Sequence, residues 1–290
     1  MALPTDDPKV WLVTGCTSGF GRAIAEVLLE QGYRVIVSAI RADDVRNLAE
    51  RYPETARAVT LDVTKPEDAK AAVALAEREF GRVDVLVNNA GFGFMGAVEE
   101  SAPDEYRPMM EVNLFGAINM MQAVLPGMRA RASGHIFSIS SVGGFTASAA
   151  FGLYAASKFG IEGVSEALAL EVAPLGIRVT VIEPGQFRTN FRGSSMSRAK
   201  QVIDAYAETT GKTRSFIDSS NGTQAGDPRK AAGVIISVAE DPNPPFRLPL
   251  GADAYARIRA KLKNVEADIA RVEAQACDVN FEGTETTMRV

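Results

Sequence analysis

The sequence is short of the residues from which metal sites and disulfide frameworks are built. Its 290 residues include two cysteines, Cys16 and Cys277, and a single histidine, His135. Two cysteines cannot form a disulfide framework or a four-ligand zinc site, and any Ser-His-Asp triad would have to use His135 itself. We therefore expect no metal site. We also expect His135, at the start of a predicted buried strand, to be structural.

The chain also lacks an excess of positive charge and any long apolar run. It has 31 Lys and Arg against 36 Asp and Glu, a net charge of −5, without the basic clustering of proteins that bind nucleic acid or anionic membranes. No run reaches the roughly 18 apolar residues of a membrane span. Residues 1–8 have neither the basic nor the apolar segment of a signal peptide. These absences predict a cytoplasmic protein with no nucleic-acid or membrane partner.

Apolar residues make up 46% of the chain and occur in short runs that alternate with helical patterns. Runs such as 85–87 and 179–182 are apolar throughout, which is typical of strands buried on both faces of a parallel sheet. The alternation predicts an α/β fold with a doubly wound parallel sheet of about seven strands flanked by helices. The predicted strands are 10–14, 34–38, 57–61, 84–88, 135–139, 178–183 and 246–248, and the predicted helices lie near 20–31, 43–51, 66–80, 104–130, 152–174 and 228–240.

Residues 188–227 interrupt this alternation. They are rich in Ser, Thr, Gly and charge, with only a weak helical pattern near 196–209. An insertion after a late strand of a doubly wound sheet often covers the ligand crevice, and the alternative is a mobile surface loop.

The end of the chain carries an apolar stripe with heptad-like spacing. It consists of Tyr255, Ile258, Leu262, Val265, Ile269 and Val272. The stripe predicts a C-terminal helix over about 252–275, which either docks on its own domain or meets a partner helix in a homo-oligomer. We expect one domain over 1–290, with a core at about 9–251 and a frayed polar tail at 276–290.

A glycine-rich turn, Thr-Gly-Cys-Thr-Ser-Gly-Phe-Gly at 14–21, follows the first predicted strand and opens a helix. Glycine permits a tight turn and lets backbone N–H groups approach a pyrophosphate closely. The helix N-terminus behind the turn adds the positive end of its dipole. Strand, turn and helix in this order predict a dinucleotide-binding site.

This turn and three later motifs resemble the short-chain dehydrogenase/reductase family in its Tyr-dependent form. The later motifs are N-N-A-G at 88–91, Y-x-x-x-K at 154–158 and P-G-x-x-x-T at 184–189. The resemblance covers 10–190 closely and extends more loosely to about 262. It implies a Rossmann-type domain that binds a nicotinamide cofactor, interconverts carbonyl and alcohol groups by hydride transfer, and forms a homodimer or homotetramer. The segments around 91–93 and 183–189 are similar to the hydroxysteroid- or retinol-dehydrogenase-like branch.

The candidate catalytic residues are Asn113, Ser141, Tyr154 and Lys158. On a helix, Tyr154 and Lys158 share a face, and an ammonium beside a phenol lowers the phenol pKa from about 10. The resemblance implies that Ser141, with Ser140 as the alternative, binds the substrate carbonyl. It also implies that Asn113, in a local helix distortion, holds a water that relays protons toward the lysine. The alternative for Asn113 is a helix-interior residue bonded to backbone.

The resemblance also implies a set of residues that contact the cofactor. These are Gly15, Thr17, Ser18, Gly19, Phe20, Gly21, Asp62, Val63, Asn89, Ala90, Gly91, Tyr154, Lys158, Pro184, Gly185, Phe187 and Thr189. For Asp62 the alternative is an ordinary helix-capping or turn residue.

The end of the second predicted strand bears on the choice between NADP and NAD. It reads Ser38-Ala39-Ile40-Arg41, without the acidic residue that usually binds the ribose hydroxyls of NAD. The family's usual arginine would fall at Ile40, one place before Arg41. With Arg41, Ser18 and Ser38 as candidate phosphate ligands, NADP(H) is favoured and NAD(H) stays open. The alternative for Arg41 is an ordinary solvated arginine.

Aromatic and methionine side chains cluster in the loops predicted to border the crevice. They are Phe92, Phe94, Met95, Phe145, Phe151, Phe187, Phe191 and Met196. Binding pockets are mostly apolar, so this cluster predicts a bulky ketone or alcohol as substrate, and the alternative is that these residues belong to the core. Two other functions stay open: a NADP(H)-binding sensor or scaffold without turnover, and a lyase or epimerase that uses hydride transiently.

Overall fold

A computed structural model describes residues 7–277, 279–281 and 283–284 of the protein. Most of the predicted frayed tail therefore lies outside the described residues. The strands, in chain order, are β1 (Val10–Val13), β2 (Arg34–Ala39), β3 (Ala56–Thr60), β4 (Val85–Asn88), β5 (Gly93–Met95), β6 (Gly134–Ile139), β7 (Ile177–Pro184), β8 (Met196–Arg198) and β9 (Arg247–Leu250).

Seven of these strands form one parallel sheet in the order β3-β2-β1-β4-β6-β7-β9. This confirms the predicted doubly wound fold. The chain runs outward from β1 to β3, then returns to the centre and continues outward from β4 in the other direction. Ligands of such sheets bind where this reversal occurs, beyond the carboxyl ends of the central strands β1 and β4.

Helices cover both faces of the sheet. They are α1 (Gly19–Glu30), α2 (Arg46–Arg51), α3 (Pro66–Phe80), α4 (Pro103–Met110), α5 (Ala117–Ala130), α6 (Gly152–Val172), α7 (Lys212–Ser219), α8 (Pro228–Glu240) and α9 (Ala252–Ala276). Successive side chains of β1 enter opposite cores, because strand residues alternate between faces. Trp11 packs with residues of α1, α2 and α8, and Leu12 packs with residues of α3, α5 and α6.

The helix predicted over 104–130 is interrupted by a π-helical turn, Glu111–Gly116, between α4 and α5. Asn113 lies in this turn, where its side chain bonds the backbone of Phe92 on a neighbouring loop. Gly116 allows the turn to approach Val63, since an added Cβ would lie 2.4 Å from a Val63 methyl. The local helix distortion expected at Asn113 is therefore present.

The weak helical pattern at 196–209 did not predict the structure correctly. That stretch contains β8, a 3-10 turn (Asp204–Tyr206) and a π-helical turn, and the helix α7 begins only at Lys212. Tertiary contacts override the local pattern here, because β8 pairs with β5 in a separate two-stranded sheet. Glu100, buried in the loop after β5, accepts from the backbone N of Ile203 and pairs with Arg214 of α7. The insertion is thereby tied to the body of the protein.

Helix α9 begins at the sheet and then leaves it. Asp253 accepts a hydrogen bond from the backbone N of Gln186 at 2.8 Å, and Arg257 donates to the carbonyl of Thr146 at 2.9 Å. All residues from 259 to 277 are exposed. The interpretation that this helix docks along its own domain is therefore wrong beyond its first two turns. Within the described ranges, none of the helices combines the length and the apolar character needed to cross a membrane.

Candidate active site

A cleft of about 1010 Å³ opens at the carboxyl ends of the central strands. Its walls include the turn after β1, the ends of β4 and β6, the start of α6, the segment after β7, and α7. The four motifs singled out from the sequence therefore meet in one place. His135 is the second residue of β6 and so lies near the amino ends of the strands, away from the cleft. Its ring stacks on Phe137 and is hydrogen-bonded to Thr180.

The glycine-rich turn has a backbone that other residues would strain. Gly15 and Gly19 have φ of +70° and +60°, in the left-handed region that glycine adopts without a steric cost. A Cβ at Gly21 would lie 2.3 Å from the carbonyl oxygen of Gly15. Asn89 holds the turn from β4, donating to the carbonyls of Thr14 and Gly15 at 2.8 and 3.0 Å. The turn and the start of α1 line the cleft, an arrangement that fits a pyrophosphate.

The N-N-A-G segment connects the ends of β1 and β4. The Thr14 hydroxyl accepts from the backbone N of both Asn89 and Ala90, each at 2.9 Å. Gly91 makes a close approach, because a Cβ there would lie 2.8 Å from Oδ1 of Asn113. Asn89, Ala90 and Gly91 all line the cleft beside the glycine turn.

Tyr154, Ser141 and Lys158 converge at the end of β6. The Tyr154 ring and Ser141 Oγ both lie beside Gly143, 3.5 and 3.3 Å from the position that a Cβ would take there, and Ser141 Oγ accepts from the backbone N of Gly143 at 2.9 Å. Lys158, one turn along α6, places Nζ 5.8 Å from the centroid of the Tyr154 ring. Lys158 Nζ donates to the carbonyl of Ile139 at 2.8 Å.

Burial is the largest influence on the pKa values of both Tyr154 and Lys158. It raises the pKa of Tyr154 to about 12, against the opposing effect of the neighbouring Ser141 hydroxyl. It lowers the pKa of Lys158 to about 8, against the attraction of Glu162. The sequence predicts that the lysine lowers the phenol pKa, but the pKa of Tyr154 is set by the loss of hydration, opposed only by Ser141. At neutral pH Tyr154 is protonated and Lys158 is charged.

Asn113 is buried with its side chain fully engaged. Its Oδ1 accepts from the backbone N of Phe92 at 3.0 Å. Its Nδ2 donates to the carbonyl of Phe92 at 2.9 Å and to Ser157 Oγ at 3.3 Å. These contacts match the alternative of an asparagine bonded to backbone. They also fix the π-helical turn against the loop after β4.

The far end of the cleft is lined by residues after β2 and β3. Asp62 and Val63 are among them, and the Asp62 carboxylate accepts from the backbone and side chain of Thr64 at 3.0 and 2.7 Å. Asp62 therefore makes the hydrogen bonds expected of an ordinary turn residue, and it also lines the cleft.

The residues proposed for a 2′-phosphate do not converge. Ser38 is buried and donates to the carbonyl of Val13 at 3.1 Å, so its hydroxyl cannot also meet a ligand. The Arg41 side chain is 78% exposed, and two of its nitrogens bond the Asp44 carboxylate at 3.0 and 3.3 Å. Ile40, Asp44 and Ser18 line the cleft.

Comparison with known proteins agrees with this geometry. The family model described as short chain dehydrogenase matches residues 9–200. The chain belongs to this family. It is an oxidoreductase of the short-chain dehydrogenase type, and this fold implies a nicotinamide cofactor.

Two curated relatives are similar over most of their length. Over 247 residues the chain is 38% identical to Oxidoreductase BOA17 of Botryotinia fuckeliana, covering 85% of this chain and 90% of the relative. It is also 38% identical over 247 residues to 3-ketodihydrosphingosine reductase of Bacteroides thetaiotaomicron, covering 84% and 88%. A crystal structure of a short-chain dehydrogenase from Streptomyces avermitilis matches with a TM-score of 0.89 and 42% identity, covering 95% of this chain and all of that one.

The cluster of aromatic and methionine residues predicted to border the crevice is only partly there. Of the eight residues in that cluster, five line the cleft: Phe92, Phe151, Phe187, Phe191 and Met196. Phe94 and Met95 are instead buried in the core around β5, and Phe145 lies beneath the guanidinium of Arg247. The Phe191 ring lies 5.4 Å from the Tyr154 ring, so the apolar wall reaches the ring of Tyr154.

Several cleft residues were missed by the sequence argument. They are Asp44, Thr146, Ser148, Lys212, Thr213, Phe216, Ile217 and Arg257. Phe216 and Ile217 were detectable, because they are bulky apolar residues in an otherwise polar insertion. Arg257 was not, because only the fold shows that the first turns of α9 return to the cleft.

A buried ionic cluster lies behind Lys158. Glu162 of α6 and Glu183 of β7 both bind the guanidinium of Arg247. Burial raises the pKa of Glu162 to about 7, against the nearby Ser140 hydroxyl and Arg247, and burial also raises the pKa of Glu183. Arg247 thus pairs with two buried carboxyl groups, one of them on α6, the helix that also carries Tyr154 and Lys158.

Proposed function

We propose that this protein interconverts a ketone or aldehyde and the corresponding alcohol on a bulky apolar substrate, with NADP(H) as cofactor and Tyr154 as general acid/base. One observation carries the proposal: the side chains of Tyr154 and Ser141 lie together at the wall of an apolar cleft, both beside the backbone of Gly143. Two adjacent hydroxyls of this kind can bind one carbonyl oxygen from the same side.

The cleft fits a nicotinamide dinucleotide along its length. The glycine turn and the start of α1 would hold the pyrophosphate, and Asp62, Val63 and the N-N-A-G residues would hold the adenosine half. The backbone of Pro184 and Gly185 and the hydroxyl of Thr189 would orient the nicotinamide. When bound in reduced form, the cofactor supplies a hydride to the carbonyl carbon.

The chain's own residues supply the proton and the orientation. Ser141 and Tyr154 donate hydrogen bonds to the carbonyl oxygen, and Tyr154 then gives it a proton. A Tyr154 pKa of about 12 suits this step, since the phenol is fully protonated at neutral pH. The ammonium of Lys158 would stabilise the phenolate left behind and bind ribose hydroxyls. A water held at the π-helical turn, beside the engaged side chain of Asn113, would return the proton. Alcohol oxidation uses the same residues in reverse.

The preference for NADP(H) is supported by Arg41, which lies beside the far end of the cleft. The guanidinium would have to leave Asp44, or share it, to meet a 2′-phosphate. NAD(H) is the competing cofactor, because the Asp44 carboxylate lines the same end of the cleft. The apolar substrate is supported by the phenylalanine-lined wall. It is also supported by a relative named as a reductase of 3-ketodihydrosphingosine, a ketone on a long alkyl chain.

The test is a fluorescence titration with NADPH and NADH, followed by bulky ketones in the same cuvette. Tighter NADPH binding and ketone-dependent NADPH oxidation are expected. Tyr154→Phe should abolish turnover and leave cofactor binding within about twofold, because it removes only the transferred proton. Near-full activity in Tyr154→Phe would overturn its assigned role. Cofactor binding with no NADPH oxidation by any ketone and no NADP+ reduction by any alcohol would favour the sensor function. The assembled Ser141, Tyr154 and Lys158 group argues against that function.

A further inference from the structure

Helix α9 presents an apolar stripe that the rest of the described structure does not cover. Five of its members are between 38 and 53% exposed: Tyr255, Leu262, Val265, Ile269 and Val272. The helix is 25 residues long, so its exposed part extends well beyond the domain surface. A continuous apolar stripe of this kind on a polar helix is the pattern of a helix that pairs with another.

The order of the stripe residues is symmetric about the midpoint of the helix. The spacings from Tyr255 to Val272 are 3, 4, 3, 4 and 3, which read the same in both directions. When two copies run antiparallel, Tyr255 therefore meets Val272 of the second copy, Ile258 meets Ile269, and Leu262 meets Val265. Each layer joins an a position to a d position, as antiparallel coiled coils require.

The charges that flank the stripe are segregated along the helix. Arg259 and Lys261 lie beside the first half, and Glu266 and Asp268 lie beside the second half. In the antiparallel register Arg259 faces Glu266 of the second copy, and Lys261 faces Asp268. The two-fold symmetry repeats both pairs, so all four flanking contacts join opposite charges.

We propose that α9 pairs with α9 of a second copy of this chain in an antiparallel, two-fold symmetric coiled coil. A parallel pair would set Lys261 beside Glu266 of the partner but Asp268 beside Glu273, so two of its four flanking contacts would join like charges. An anionic membrane surface would attract the first half of the helix and repel the second. A second copy of α9 is thus the partner that would both cover the apolar stripe and pair opposite charges along both halves of the helix.

Cysteine cross-linking tests the register in the full-length protein. The exposed Cys277 is first replaced by Ser, while the buried Cys16 stays. Ile258→Cys and Ile269→Cys are then made as separate proteins. On mixing and mild oxidation, a disulfide dimer of one variant with the other is expected. Either variant alone should stay uncross-linked, because in the antiparallel register like positions lie about 16 Å apart along the axis.

Charge reversal tests the contacts without removing apolar area. Sedimentation velocity over a range of concentrations should give an association that Glu266→Lys with Asp268→Lys weakens about tenfold or more, with stronger effects at low salt. Adding Arg259→Glu and Lys261→Glu restores the pairs and should restore association. Lys263→Glu, on the outer face of the helix, is the matched control and should leave association unchanged.

Three results would overturn the proposal. One is an equal sedimentation mass for the native protein and for the Glu266→Lys, Asp268→Lys variant at all concentrations. That result would mean that any oligomer forms through another surface. Another is cross-linking of each single-cysteine variant with itself, which would indicate a parallel pair. The third is α9-dependent binding to anionic phosphatidylserine vesicles together with a monomeric mass, which would make a lipid surface the occupant.

Discussion

Lys158 donates a hydrogen bond to the carbonyl of Ile139 at 2.8 Å while its Nζ lies 5.8 Å from the centroid of the Tyr154 ring. The ammonium is therefore fixed by the end of β6 rather than by the tyrosine. Both side chains line the cleft. Any effect of the ammonium on a ligand or on the phenol depends on whether Lys158 carries its charge.

The first prediction concerns pH. Because burial lowers the pKa of Lys158 to about 8, the free enzyme loses this charge as pH rises through that value. The kcat/KM for NADPH in carbonyl reduction, which reports the free enzyme, should be level below about pH 7 and fall above about pH 8. A pH profile with the NADPH concentration varied would measure it. Lys158→Arg keeps its charge throughout this range, so its profile should lose the alkaline fall. An unchanged midpoint in that variant would exclude Lys158 as the titrating group.

The second prediction concerns the buried cluster beneath α6. Burial raises the pKa of Glu162 from 4.5 to about 7, so the folded protein binds more protons than the unfolded chain between these values. The free energy of unfolding should therefore fall as pH rises from about 4.5 to 7, by roughly 1–3 kcal/mol from this group. Glu162→Gln should remove that part of the pH dependence and be the more stable protein at pH 8.

A matched control exists on the same helix. Glu166 also binds Arg247 but is exposed, so Glu166→Gln should leave the pH dependence of unfolding unchanged. Urea titrations of both variants at acidic and alkaline pH make the comparison. Equal behaviour of the two variants would contradict the assignment of the titration to Glu162.

The third prediction concerns the glycine turn. Gly21→Ala places a Cβ 2.3 Å from the Gly15 carbonyl oxygen and 2.4 Å from Nδ2 of Asn89, so the turn must shift and cofactor affinity should fall about tenfold or more. Gly163→Ala is the control, because nothing lies within 4 Å of a Cβ at that exposed position of α6. It should stabilise the protein by about 0.5–1 kcal/mol and leave the cofactor affinity unchanged. Fluorescence titration and thermal unfolding would separate the two effects.

The fourth prediction concerns cofactor choice. If Arg41 meets the 2′-phosphate, Arg41→Ala should weaken NADPH binding about tenfold and leave NADH binding unchanged. Asp44→Asn removes the carboxylate that holds Arg41 and should tighten NADPH binding. Arg46→Ala is the control, since Arg46 is similarly exposed but pairs with Asp43. Equal losses for NADPH and NADH in Arg41→Ala would show that Arg41 does not discriminate between them.

Much of the fold and the position of the cleft could be predicted because the signals are local. Uniformly apolar runs such as 85–87 mark strands buried on both faces, and the glycine turn carries its own backbone requirement. Tyr154 and Lys158 share a helix face at a fixed spacing. Each of these inferences uses residues close together in the chain.

The errors arose where contacts with other segments of the chain determine the local structure or the partner of a side chain. The weak helical pattern at 196–209 did not form a helix, because Met196–Arg198 pairs with β5 instead. No local signal in the sequence predicts that pairing. Ser38 was suggested as a phosphate ligand, but the alternation of β2 turns its hydroxyl into the sheet toward Val13. The pKa of Tyr154 followed burial, which depends on the whole cleft. The partner of Arg41 is three residues away, yet its preference for Asp44 is visible only once the turn after β2 is built.

The small sheet of β5 and β8 joins segments about 100 residues apart in the chain. Contacts of such long sequence separation are entropically costly and form late in folding. They also belong to the weaker cooperative units of a native protein, because three residue pairs hold this sheet while the seven-stranded sheet carries the main cores. Hydrogen exchange at its amides therefore reports an opening of lower free energy than global unfolding. The segment that brings Met196 to the cleft can therefore open and re-form while β6, which ends just before Ser141, stays folded.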